Sequence, residues 1–112
     1  MRQAILSDIH GNLEALHQVL RRVELEKCDR ILCLGDCVGY GPFPSECVEL
    51  INRNSAVVLA GNHDYGVLGR TSTELFNEFA RRALRLSAPL MTESSLEQLR
   101  NSPLTWQDAE VF

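Results

Sequence analysis

LAGNHDYG, residues 59–66, is the stretch on which the reading of this chain turns. It sets Asn62, His63 and Asp64 side by side, between a small apolar run and a glycine. These three residue types favour turns over strand interiors, so a turn after a strand accounts for part of it. They are also residue types that hold metal ions and move protons. What surrounds the stretch decides between a turn and a site.

Just before it, Ala56–Ala60 (AVVLA) reads as a short buried strand. Two similar runs precede that one, Gln3–Ser7 (QAILS) and Arg30–Leu34 (RILCL). Between the first two, Leu13, Leu16, Val19, Leu20 and Val23 recur at helical spacing, which predicts a helix over 13–25. After the glycine-rich segment Gly35–Phe43, Pro44 suits the first turn of a second helix, with Glu46 early in it. Cys47, Val48 and Ile51 form its inner face. Strand–helix–strand–helix–strand with apolar strands predicts an α/β fold built on a parallel sheet. Right-handed crossovers bring all three strand ends to one edge, where ligand sites of such sheets lie.

Downstream the chain reads as helical. Thr71–Glu74 has a capping-box pattern ahead of Leu75, Phe76, Phe79, Ala80, Ala83 and Leu84, with a stop near Pro89. Ser94–Glu97 predicts the cap of a short helix ending before Pro103, and Leu104–Phe112 reads as the start of another strand. No repeat or linker is visible, so residues 1–112 are read as one domain.

Composition narrows the function classes. A net charge of −4 argues against binding nucleic acid through a basic surface. No apolar run approaches the roughly 20 residues of a membrane span, and the N-terminus lacks a signal-peptide pattern, so a cytoplasmic protein is expected. Cys28, Cys33, Cys37 and Cys47 lack the spacing of a zinc site and the density of a disulfide scaffold. They read as buried or half-buried free thiols.

Each strand is followed by potential ligands. Asp8-Ile-His10 follows the first, Gly35-Asp36 the second, and Gly61-Asn62-His63-Asp64 the third. One such cluster is ordinary loop composition; three on one sheet edge suit a pair of divalent cations. Asp8 and His10 can close on one ion, Asp36 has two oxygens with which to bridge, and Asn62 offers an amide oxygen. Mixed carboxylate, amide and imidazole donors suit Mn, Fe, Zn, Ni, Co or Mg better than an ion that needs thiolates. Lesser candidates are Tyr40, placed near Asp36 as either a substrate contact or an exposed aromatic, and Asn12, read as a helix cap. His17 reads as a surface residue, and Arg81, Arg82 and Arg85 as a solvated basic face.

The D-x-H of Asp8–His10, the G-D of Gly35–Asp36 and the G-N-H-D of Gly61–Asp64 resemble the first three motifs of the calcineurin-like metallophosphoesterases. The loop GDCVGYGPFP, residues 35–44, is similar to that of the prokaryotic phosphodiesterase-type members. Gly39-Tyr40-Gly41 stands where the protein phosphatases carry an arginine-containing triplet, which speaks against phosphoprotein phosphatase activity. The resemblance implies a four-layer α/β/β/α sandwich and hydrolysis of phosphodiesters or phosphomonoesters by a hydroxide activated at two metals. It implies Asp8 and His10 on the first ion, Asp36 bridging, and Asn62 on the second. It makes His63 the proton donor or transition-state stabiliser, with Asp64 orienting its ring. The implied substrate is a small, nucleotide-like phosphoester.

The family pattern continues into a second half with further histidine turns. Here the histidines are His10, His17 and His63, all upstream of that region. The chain is therefore expected to be the N-terminal half of such a sandwich, weak or inactive alone, and prone to associate with itself or with a complementary half. The alternative is a phosphoesterase fold that serves as a binding or scaffold module without turnover. A dinucleotide-binding domain is disfavoured, because SDIHGN at residues 7–12 lacks the phosphate-cradling glycines.

Overall fold

The three apolar runs pair in parallel as β1 (Gln3–Leu6), β2 (Arg30–Cys33) and β3 (Val57–Val58), in that order across the sheet. The computed structural model describes residues 1–107. Leu6 lies opposite Cys33, and Cys33 opposite Val58, so these side chains share one face. Two helices cover that face, α1 (Leu13–Leu25) and α2 (Pro44–Asn54), both starting where the sequence predicts. Leu16 from α1 and Cys47, Val48 and Ile51 from α2 complete the core. Full burial of an Ile or Val side chain stabilises by about 1.5–3 kcal/mol, which is why these helices dock by this face. On the other face Ile5 is 63% exposed, and the Arg30 guanidinium lies over the Trp106 ring at 5.2 Å.

β1 and β2 are each followed by a sharp turn of the chain, at Asp8 and Asp36. Ladder bonds outlast the regular strand by one residue: Leu34 N–H donates to the Leu6 carbonyl, and Leu59 N–H to the Cys33 carbonyl. Ala60 N–H instead meets the carbonyl of Pro103, which ties the C-terminal segment to the end of β3. All four cysteines are free, with Cys33, Cys37 and Cys47 buried.

Four sequence expectations need correction. GNHD is not only a turn: it begins a short helix, α3 (Asn62–Val67). The next helix, α4 (Glu78–Ser87), starts at Asn77 rather than at Thr71, because the Asn77 side chain accepts from Ala80 N–H at 2.8 Å. Glu74 N–H donates to Ser72 Oγ, and the turn falls at Glu74–Leu75, where Phe76 N–H donates to the Thr73 carbonyl. Leu75 is consequently 99% exposed rather than inward, and α4 buries the stripe of Ala80, Leu84 and Ser87, leaving Phe79 outside it. α4 does stop before Pro89, as expected. The last helix, α5 (Glu93–Arg100), is capped by Thr92 instead of Ser94, whose neighbour Ser95 is buried. Residues 104–107 carry no strand, and the remainder of that predicted strand lies outside the described residues.

Candidate metal centre

The loops leaving β1 and β2 carry their acidic and imidazole groups in an uncommon backbone state. Asp8 (φ 58), His10 (φ 50) and Asp36 (φ 57) all sit in the left-handed region. Such residues cost about 1–3 kcal/mol each, aspartate least, and persist where surrounding bonds over-determine them. Those bonds are present. Asp8, His10 and Gly11 donate their N–H groups to the carbonyls of Gly35, Asp36 and Cys37, zipping one loop to the other. One ligand atom each from Asp8, His10 and Asp36 then lies within 4.8 Å of the other two. His10 Nδ1 is 2.9 Å from the Val38 carbonyl. A carbonyl can only accept, so Nδ1 carries the proton and Nε2 keeps its lone pair.

The third strand end locks onto this pair. Asp36 Oδ1 accepts from His63 N–H at 2.9 Å. Asp64 is fully buried, and its carboxylate takes three backbone amides: Asp36 at 2.7 Å, Gly61 at 2.8 Å and Cys37 at 3.0 Å. Burial raises its pKa, and the amide bonds pull it the other way. This corrects the expectation that Asp64 orients the His63 ring. Its oxygens are taken up by the backbone of two loops, and His63 Nδ1 is buried with no hydrogen-bond partner. The His63 ring is placed by packing instead: it stacks on Phe76 with centroids 5.1 Å apart and leans on the His10 ring at 4.5 Å. Burial, and then the neighbouring His10, lower the His63 pKa, while Asp36 and Asp8 oppose them. Gly61 and Gly39 permit the close packing. A Cβ on Gly61 would collide with Asp36 Oδ1, and one on Gly39 with His63 Nδ1.

Thus Asp8, His10, Asp36 and His63 come together. Asn62 is exposed at the first position of α3, next to the His63 amide that holds Asp36. Tyr40, itself at φ 63, brings its ring to 5.1 Å from His10 and 5.2 Å from His63. Asn12 caps α1 through Ala15 N–H, as expected. His17 is exposed on α1, in a different hollow lined by Arg21 and Cys28. The three arginines do not form one face: Arg81 and Arg85 line a groove with Val67, and Arg82 lines another with Tyr40. A cavity of about 560 Å³ opens beside Asp8, His10, Asn12, Glu14 and Tyr40. Sequence reasoning missed Phe76 and the Val38 carbonyl. Both act through contacts that no local pattern encodes.

The donor set fits a divalent cation: two carboxylates and an imidazole nitrogen converge, with no thiolate among them. No helix among the described residues is long and apolar enough to cross a membrane.

Comparison with known proteins agrees with this geometry. The chain is 45% identical over 101 residues to the uncharacterised protein MJ0912 of Methanocaldococcus jannaschii, covering 90% of this chain and 42% of that one. Its fold is similar to the crystal structure of a metallophosphoesterase from Sphaerobacter thermophilus, with a TM-score of 0.79 and 40% identity over 96% of this chain and 44% of the other. A second crystal structure, of a "putative diadenosine tetraphosphatase", matches with a TM-score of 0.70 and 28% identity, over 91% of this chain and 43% of that one. The chain thus spans less than half the length of each of these relatives. The structural likeness bears out the expected α/β class and the metallophosphoesterase fold. The family model for calcineurin-like phosphoesterases matches residues 1–107, and the chain belongs to that family.

Proposed function

We propose that this chain carries the metal-binding and proton-handling part of a phosphoesterase acting on small phosphodiesters or phosphomonoesters, nucleotides among them. The observation that carries the reading is the convergence of Asp8, His10 and Asp36 within 4.8 Å on loops after successive strands. The family match and the likeness to a "putative diadenosine tetraphosphatase" support the substrate class. Asp8 and His10 would hold one divalent ion, Asp36 would reach a second as well, and Asn62 would serve the second. Such ions supply an acidified water and charge neutralisation for a phosphoryl group.

The protein groups do the rest. Val38 fixes the His10 tautomer, leaving Nε2 as the donor atom. Asp64 holds the Asp36 and Gly61 amides in place, so the ligand-bearing loops need not reorganise on binding. His63 stands against His10 and gives its proton to the leaving oxygen. A lowered pKa makes the protonated ring a stronger acid, while reducing its protonated fraction at neutral pH.

Calorimetric titration of the chain with Mn²⁺ or Zn²⁺, beside its Asp36→Asn variant, tests the reading. Loss of a direct ligand should weaken binding by at least about tenfold, since outer-shell changes alone cost 10–100-fold. Equal affinity in the two proteins would remove the shared site and with it this function.

A further inference from the structure

The Tyr40 loop has a second side that hydrolysis does not use. Tyr40, Gly41 and Pro42 line the cavity holding Asp8 and His10, and they also form one wall of a groove of about 450 Å³. The opposite wall is α4, through Phe79, Arg82 and Leu86. The two hollows therefore adjoin, with Tyr40, Gly41 and Pro42 as the wall between them. Their shared wall is rigid, since Gly41 N–H donates to the His10 carbonyl and Phe43 N–H to the Gly11 carbonyl. The groove leaves aromatic surface in water: Tyr40 is 50% exposed and Phe79 77%. Its cation, Arg82, meets only an exposed Glu78 at 3.6 Å among the described residues, a pair worth little.

The geometry points to a binding subsite for the planar aromatic group of a phosphoester, a nucleobase in its natural form. This rests on the phosphoesterase reading and names the substrate class for that same site. With the phosphate beside Asp8 and His10, the organic part leaves past Tyr40 and enters the groove. There the rings of Tyr40 and Phe79 offer stacking faces, as in sequence-tolerant base recognition. The Arg82 guanidinium stacks on the base or meets a further phosphate. A groove of this volume is within the range of small-ligand sites. Charge agrees as well: the candidate ligands Asp8 and Asp36 are acidic, and Arg82 supplies a cation in the groove for an anionic substrate.

The probes are AMP and ribose 5-phosphate, which differ by the base alone. Their binding to the 112-residue chain is measured by calorimetry and by amide NMR shifts, once in EDTA and once with Mg²⁺. AMP is expected to bind about tenfold more tightly than ribose 5-phosphate in both conditions, with shifts on Phe79, Ala83 and Leu86. Phe79→Ala and Tyr40→Asn should abolish that advantage. Asparagine is chosen at position 40 because it tolerates the left-handed backbone there. Tyr40→Phe should retain it, which separates stacking from a loss of fold. Equal affinity for the two probes, an advantage that survives Phe79→Ala, or no AMP binding in either condition would overturn the subsite. A base preference that persists in EDTA while Mg²⁺ changes nothing would instead count against the metal centre and leave the subsite standing.

Discussion

Asp64 and His63 are neighbours in sequence with different physical jobs, and substitution should separate them. Asp64→Asn removes a charged acceptor from three backbone amides and turns an N–H₂ toward at least one of them. Hydrogen bonds to charged groups contribute about 1.5–3 kcal/mol, so urea unfolding should show a loss of about 2–3 kcal/mol. Metal affinity should fall with it, since Asp36 loses its backbone anchor. His63→Ala should leave metal affinity near that of the unsubstituted chain. In a protein of the relatives' full length it should slow turnover by about 10²–10⁴-fold, the usual contribution of general acid catalysis. If His63→Ala strips the metal and Asp64→Asn does not, the two roles are reversed. The thiols offer a check on the core. Cys33, Cys37 and Cys47 are 0% exposed, and burial followed by Glu46 pushes the Cys47 thiol to about 12. An aromatic disulfide reagent should therefore titrate Cys28 alone in the folded chain, and all four thiols in urea.

At the scale of elements, the C-terminal helices show where local patterns mislead. The capping-box pattern at Thr71–Glu74 places the start of α4 too early. The structure uses Asn77, because starting there turns Ala80 and Leu84 into the core. Asn77→Ala should cost about 1 kcal/mol in thermal or urea unfolding. Thr71→Ala should stay within about 0.5 kcal/mol, as for an exposed turn residue. The first two helices were legible, α1 in both its bounds and α2 in its start at Pro44, since each presents one apolar stripe to a sheet already implied by QAILS and RILCL. α3 was not. Six residues are too few for a helical period to show, and its start depends on Asp64 accepting from Gly61 N–H.

At the scale of the whole molecule, the sheet is covered by helices on one face, and the other leaves Ile5 63% exposed. Among the described residues, β1 pairs only with β2, so its outer edge offers free backbone groups. Exposed edges and apolar patches template association. Sedimentation velocity should show mass rising with concentration, and Ile5→Lys should hold the chain as a monomer at the same concentration. A concentration-independent monomer for the unsubstituted chain would show that this face is adequately shielded as it stands.

What the sequence determined by itself was the parallel α/β order and the positions after each strand where ligands stand. Apolar strands alternating with amphipathic helices admit few topologies, and right-handed crossovers place their ends together. Asp8, His10, Asp36 and Asn62 were legible as candidates for that reason. The tertiary structure alone decided how those positions are used. It turned Asp64 from His63 to the backbone of Asp36, Cys37 and Gly61, set Phe76 on the His63 ring, and placed Phe79 opposite Tyr40. The reason is range: a strand or helix period is a property of adjacent residues, whereas a buried carboxylate bonds whichever unpaired amides the packed loops bring to it.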